Sequence, residues 1–144
     1  MPYRFLEGIT VADVAFEARG KTLEALFTSA GLAVTATQLH DLRTIRKKES
    51  RAFDLKNKKI DLLLFNFLQD LIYWKDVDLF LFKSFELSIR PASDGSDHLT
   101  GIGYGEPIDL TRHHLRVDVK AVTMHKFKVT SDANGWKAIV VLDI

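Results

Sequence analysis

Two aspartates at the ends of apolar runs hold the most chemistry in this sequence. Asp13 follows Val11-Ala12 and opens a stretch of alternating apolar residues. Asp143 follows Ile139-Val140-Val141-Leu142 directly and precedes Ile144, where the sequence stops. A strand that ends there sets the Asp143 side chain beside the α-carboxylate of Ile144. If that strand lies beside the one starting at Asp13, three carboxylates converge, an arrangement that is costly without a cation. Hard oxygen donors of this kind suit calcium or magnesium and also accept manganese. On spacing alone the blander reading leads, because aspartates at strand ends commonly serve as turn formers and caps.

The other residue sets carry weaker chemistry. Gly101-Ile102-Gly103-Tyr104-Gly105 lacks the following helix, and the Gly-Lys-Ser/Thr ending, that would make a phosphate loop. Glycines that permit close packing within a strand fit it better. His113 and His114 are adjacent, so on a strand they point to opposite faces and do not share a metal. With His125 alone near a strand end and no HExxH, they read as a surface loop pair plus one partly buried histidine. No serine sits in a nucleophile-elbow context. Cysteine is absent, which excludes disulfides and thiolate sites and suits a reducing compartment.

Charge is unevenly placed. Eight basic residues between Arg43 and Lys59 (Arg43, Arg46, Lys47, Lys48, Arg51, Lys56, Lys58, Lys59) face only Glu49 and Asp54, a net +6 that leaves the rest at −5 for a total of +1. That stretch suits RNA or an acidic protein surface as well as it suits a solvated strand face. Only Phe53 interleaves with it, so a base-stacking platform is not indicated.

The elements that must position these groups follow from periodicity. Tyr3–Glu7 and Val14–Arg19 read as strands, the second with Val14, Phe16 and Ala18 on one face. Thr22 caps a helix running to about Thr37, carried by Leu23, Leu26, Phe27 and Ala30 and weakened locally at Gly31. Thr44–Lys56 reads as one long strand or a strand pair. Asn57 caps a second helix with a wide apolar stripe, Ile60, Leu63, Leu64, Phe67, Leu68 and Leu71, reaching about Trp74. Strands then follow: Phe80–Ile89 with a slip near Lys83-Ser84, Leu99–Gly105, Leu115–Val122, and a final pair flanking the hairpin signal Asp132-Ala133-Asn134-Gly135. Pro91–Asp97 is a turn and Glu106–His114 a polar loop. The expected class is α+β, two helices packed on a mostly antiparallel sheet, as a single domain over 1–144. With 144 residues and 47% apolar content, a sizeable core is available. No apolar run approaches the ~20 residues of a membrane span. The N-terminus lacks a signal-peptide pattern, so a cytoplasmic protein is expected.

An ordered set of motifs resembles the archease family across essentially the whole chain. It comprises Ala12-Asp13-Val14, Gly20-Lys21-Thr22-Leu23-Glu24, Leu63-Leu64-Phe65-Asn66-Phe67-Leu68, Gly105-Glu106-Pro107, Arg112-His113, the run from Val119 to His125, Gly135-Trp136 and Leu142-Asp143-Ile144. The resemblance implies an accessory protein and not a catalyst. It would activate the GTP- and manganese-dependent RNA ligase of tRNA splicing and RNA repair, promoting ligase guanylylation and multiple turnover. It also implies a calcium site at Asp13, Asp143 and Ile144, with magnesium or manganese as alternatives. Lys120, Thr123 and His125 match a late family motif and become expected neighbours of that site. One departure is local: where many members carry His-Thr-Ala-Asp, this chain has Thr10-Val11-Ala12-Asp13 preceded by Ile9, without the histidine. Direct RNA contact is left open by the resemblance. The competing class is a general chaperone or protein-interaction module in which the carboxylates are structural. A metal-dependent hydrolase ranks last, because no nucleophile or general base accompanies the aspartates.

Overall fold

The alternation of Val14, Phe16 and Ala18 with Ala15 and Glu17 produces an extended strand that is buried on both faces from Ala15 to Ala18. The computed structural model describes residues 2–7 and 13–144. It contains β1 (Tyr3–Leu6), β2 (Asp13–Gly20), α1 (Leu23–Gln38), a 3-10 turn (Leu42–Thr44), β3 (Glu49–Asn57), α2 (Ile60–Asp78), β4 (Phe80–Pro91), β5 (Asp97–Pro107), β6 (Ala121–Asp132) and β7 (Gly135–Asp143). The expected α+β class holds, with a refinement: the strands form two sheets, β1-β2-β7-β6 and β3-β5-β4, and every described pairing is antiparallel. The departure from the family pattern at Ile9–Ala12 lies outside the described residues.

Both helices pack against both sheets. Thr22 caps α1 as expected, its hydroxyl accepting the Ala25 N–H at 3.1 Å. From Leu26 to Gln38 nearly every residue of α1 is buried, so the helix is enclosed round most of its circumference. Small residues make this possible. A Cβ added at Gly31 would meet the Phe85 ring at 2.8 Å, so the predicted weak point in the helix is a close contact with β4. α2 buries Leu63, Leu64, Phe67, Leu68, Leu71 and Ile72 and runs to Asp78, four residues beyond the expected end. Leu79 stops it in the left-handed conformation (φ 55), donating its N–H to the Trp74 carbonyl.

Phenylalanines join the layers. Phe67 of α2 lies 5.1 Å from Phe53 of β3 and 5.5 Å from Phe85 of β4. The glycines of β5 make room for these rings: a Cβ at Gly103 would come within 2.6 Å of Phe82 and 2.9 Å of Phe53. Close packing is therefore the role of the glycine-spaced strand. The slip in β4 is a bulge between Phe82 and Ser84 within one continuous strand.

Three expectations change. The Thr44–Lys56 stretch is a single strand, beginning only at Glu49 after the 3-10 turn. Leu115–Lys120 is not a regular strand; it makes one isolated bridge, Leu39 to Leu115. The histidine burial is reversed: His113 is buried, while His114 and His125 are exposed. No helix of the described residues is long and apolar enough to cross a membrane.

Candidate metal centre

The β2–β7 register decides where the two aspartates go. Asp13 lies directly opposite Asp143, Val14 opposite Leu142 and Phe16 opposite Val140. Directly opposed residues share a face. Phe16, Val140 and Leu142 are fully buried in the core, so Asp13 and Asp143 must project from the other face, at the end of the sheet. On its far side Asp143 pairs with Ala121 of β6, and the Lys120 N–H continues the ladder by donating to the Asp143 carbonyl at 2.8 Å. Ile144 packs its side chain against the core, which anchors the strand end.

Two like charges directly opposed across strands repel. Among the described residues, no ion pair engages Asp13 or Asp143. Both are half-buried. The described residues hold no group of three or more His, Cys, Asp or Glu side chains fit for a metal. The two aspartates alone do not make such a group, and the expected set would need the α-carboxylate of Ile144 as its third member. Such an all-oxygen set is the kind a hard divalent cation accepts, with water completing the shell.

The expected neighbours are dispersed. Thr123 lies one row inward, opposite Val141, and its hydroxyl is buried without a partner among the described residues. Lys120 contributes its backbone N–H, and its side chain is exposed. His125 sits beyond Thr123 in a β6 bulge between Thr123 and Lys128, where Lys126 takes φ 55.

Helix α2 fixes the approach to this end. Gln69 Oε1 accepts the Val122 N–H at 3.0 Å. The buried Lys75 ammonium donates to the Val119 carbonyl at 2.9 Å and to Asp118 at 2.5 Å, and pairs with Asp76 at 2.6 Å. Burial opposes its charge, but the Asp118 and Asp76 carboxylates outweigh that and raise its pKa. The two helix side chains thus grip the chain on either side of Lys120.

A second carboxylate centre was not foreseen from the sequence. Glu106, expected in a polar loop, ends β5 and is 2% exposed. Arg112 grips both its oxygens, at 2.7 and 3.0 Å, and the Arg46 N–H donates to it at 2.6 Å. His113 Nδ1 accepts the Asp109 N–H at 2.8 Å, which leaves Nε2–H to donate to Glu106 at 3.2 Å. The Arg112 guanidinium holds the Glu106 pKa down to about 2, against the opposing effect of burial. Every oxygen is engaged, so this cluster staples a loop and has no spare capacity for a ligand. The alternation of Glu106, Arg112 and His113 with apolar residues was too irregular to reveal it.

The basic stretch is partly consumed by structure. Arg51 lies 4.2 Å over the Phe80 ring and 5.2 Å from Trp74, and pairs with Asp78. Arg46, Lys47 and Lys48 are exposed at the approach to β3.

Comparison with known proteins places this geometry. The family model described as the archease protein family matches residues 3–144. The archease of Methanosarcina barkeri is 34% identical over 142 residues, covering 99% of this chain and 95% of that protein. The archease of Pyrococcus furiosus is 33% identical, covering 92% and 93%. The solution structure of a Methanobacterium thermoautotrophicum protein superposes with a TM-score of 0.86 at 31% identity, over 99% of both chains. The crystal structure of a Thermotoga maritima archease, described as a possible chaperone, shares the fold at a TM-score of 0.62 and 18% identity, over 98% of both chains.

Proposed function

This chain belongs to the archease protein family, and from that membership we propose that it is an accessory protein for a GTP-dependent RNA ligase of tRNA splicing and RNA repair. In this reading it promotes guanylylation of the ligase and its repeated turnover, and performs no catalysis of its own. Asp13, Asp143 and the α-carboxylate of Ile144 would hold a divalent cation, calcium first, with magnesium or manganese as alternatives. The observation that carries the reading is the Asp13–Asp143 cross-strand pair, two carboxylates at the end of a sheet that make no ion pair among the described residues. A bound divalent cation would neutralise that pair and order the tip offered to the ligase. The chain's own contribution is positional. The core contacts of Phe16, Val140 and Leu142 set both aspartates on the opposite face of the sheet, and the Lys120 N–H holds the Asp143 backbone. Lys120 and His125, both exposed, would meet the partner or its substrate, while the Thr123 hydroxyl stays buried. The reading requires no direct contact of this chain with RNA and no membrane.

Multiple-turnover ligation with the cognate ligase tests this. Wild type is expected to sustain turnover, and Asp13→Ala and Asp143→Ala to lose most of the stimulation while remaining folded. Stimulation by both variants at the wild-type level would sink the site assignment. A general chaperone, in which the carboxylates are structural, would instead suppress aggregation of unrelated clients without affecting ligation.

A further inference from the structure

The last turn of α1 carries a buried polar group that the described residues leave unpaired. Gln38 is 6% exposed, and its Nε2 has no hydrogen-bond partner among the described residues. A buried donor left unpaired costs on the order of 1–3 kcal/mol, so its persistence calls for an acceptor from outside. Gln38 lines an open cavity of about 130 Å3 together with Lys75, Leu81, Ile108, Leu115 and Val117. Four of its eight lining residues are aliphatic, and Arg116 and Asp118 stand among the rest. Lys75 makes no demand on an occupant, because Asp118, Asp76 and the Val119 carbonyl already take its three donors. The occupant therefore needs an apolar body of modest size and one hydrogen-bond acceptor placed at Gln38. A dry apolar cavity of roughly 150 Å3 accepts a benzene-sized group, so this one suits a single aliphatic side chain.

The surroundings favour a polypeptide over a free small molecule. Leu115 and Val117 at the mouth are 44% and 40% exposed, an apolar rim that a small ligand inside the cavity would leave wet. Arg116 and Val117 also line a second cavity, whose other walls are Phe5, Leu6, Asp13, Val14 and Thr37. A short strap of chain thus separates the Gln38 cavity from a groove that reaches Asp13. Phe5, at 42% exposure, extends the apolar surface on the far side. Arg116, on the crest of the strap, is exposed and makes no ion pair among the described residues, which favours a partner segment that carries a carboxylate.

We propose that this double groove is where the ligase docks. An aliphatic side chain of a ligase loop enters the Gln38 cavity, and a carbonyl of the same loop accepts from Gln38 Nε2. The continuing chain crosses Arg116 and Val117, with an acidic residue on Arg116, and reaches the Asp13–Asp143 end. The choice of partner rests on the accessory-protein reading above; the groove itself rests on the orphaned amide and the shared strap. Docking here places the cation-bearing tip against the ligase without help from the basic stretch of β3.

Calorimetric binding of the intact chain to the purified cognate ligase, at fixed calcium, tests it. Val117→Asp and Arg116→Glu are expected to weaken binding at least tenfold, and Gln38→Leu several-fold, with melting temperatures within a few degrees of wild type. Ile102→Asp, on the exposed face of the other sheet, is expected to bind as wild type does. If wild type binds and stimulates the ligase and the groove variants do so equally well, the groove assignment is overturned and the accessory function stands. If wild type neither binds nor stimulates the ligase, both fall. If Val117→Asp instead abolishes self-association seen by sedimentation, the occupant is a second copy of this chain and the ligase assignment is overturned.

Discussion

Glu106 and the Asp13–Asp143 pair are both carboxylate centres at strand ends, and their surroundings could hardly differ more. Glu106 is sealed from solvent with a bidentate arginine, a backbone N–H and an imidazole on its two oxygens. Asp13 and Asp143 face each other across a ladder with no cation opposite them among the described residues. The first arrangement spends all its electrostatic capacity on holding the fold together. The second leaves charge unbalanced on a rigid frame, which is what a binding site for a cation requires. The same residue chemistry thus serves stability at one end of β5 and remains available for function where β2 and β7 meet.

The contrast can be broken by substitution. The largest expected effect is on stability. Glu106→Ala strands Arg112 and His113, and losing one partner of a buried pair costs about 3–5 kcal/mol. For a chain of this size that corresponds to a fall of roughly 10 °C in melting temperature, measured by calorimetry, while the surviving folded protein keeps its effect on ligation. Asp13→Asn should instead leave the metal-free protein as stable as wild type or a few tenths of a kcal/mol better (about 0.2–1 on the cross-strand scale), because it removes a repulsion.

Cation linkage comes next in size. Calcium at about 100 times its dissociation constant should stabilise wild type by about 2.7 kcal/mol, seen as a rise in melting temperature that chelation reverses. Asp143→Asn and Asp13→Asn should lose that rise, whereas Glu106→Gln should keep it from its lower baseline. A rise that survives both aspartate variants would place the cation elsewhere.

Acid sharpens the comparison further. The Glu106 pKa is depressed to about 2, so the unfolded state binds its proton first as pH falls. Its stabilising contribution is complete above the ordinary carboxylate range near pH 4.5, and is lost progressively as pH falls through about 2. Denaturation midpoints measured across that window should drop more steeply for wild type than for Glu106→Gln, in which the proton linkage is absent. Equal slopes would show that Glu106 does not carry the acid sensitivity.

How far these two centres were legible in the sequence follows from how local their determinants are. Asp13 and Asp143 drew notice as aspartates at the ends of apolar runs, but spacing alone favoured turn formers or caps, and the family resemblance singled them out; the hairpin at Asp132–Gly135 fixed the direction of β7. Their pairing needed one long-range fact, the adjacency of β2 and β7. The turn itself is built from Ala133 and Asn134, with the positive φ carried by Gly135 (φ 121) and not by the asparagine. Glu106 was missed because its partners come from Arg46, sixty residues earlier, and from a loop with no periodicity. The Leu115–Lys120 alternation misled for a related reason. The segment pairs with the end of α1 and the Lys75 side chain, so its extended backbone forms no regular strand and reaches a ladder only at Lys120. The division into two sheets is likewise invisible to local pattern, since each strand looks the same whichever sheet it enters.

The most direct measurement is multiple-turnover ligation by the cognate ligase with wild type, Asp143→Asn and Glu106→Gln compared side by side, each at a temperature where it is fully folded. If the cross-strand aspartates carry the function, wild type and Glu106→Gln sustain turnover and Asp143→Asn stalls near a single round. Turnover by Asp143→Asn equal to wild type, or a loss confined to Glu106→Gln, would contradict the account.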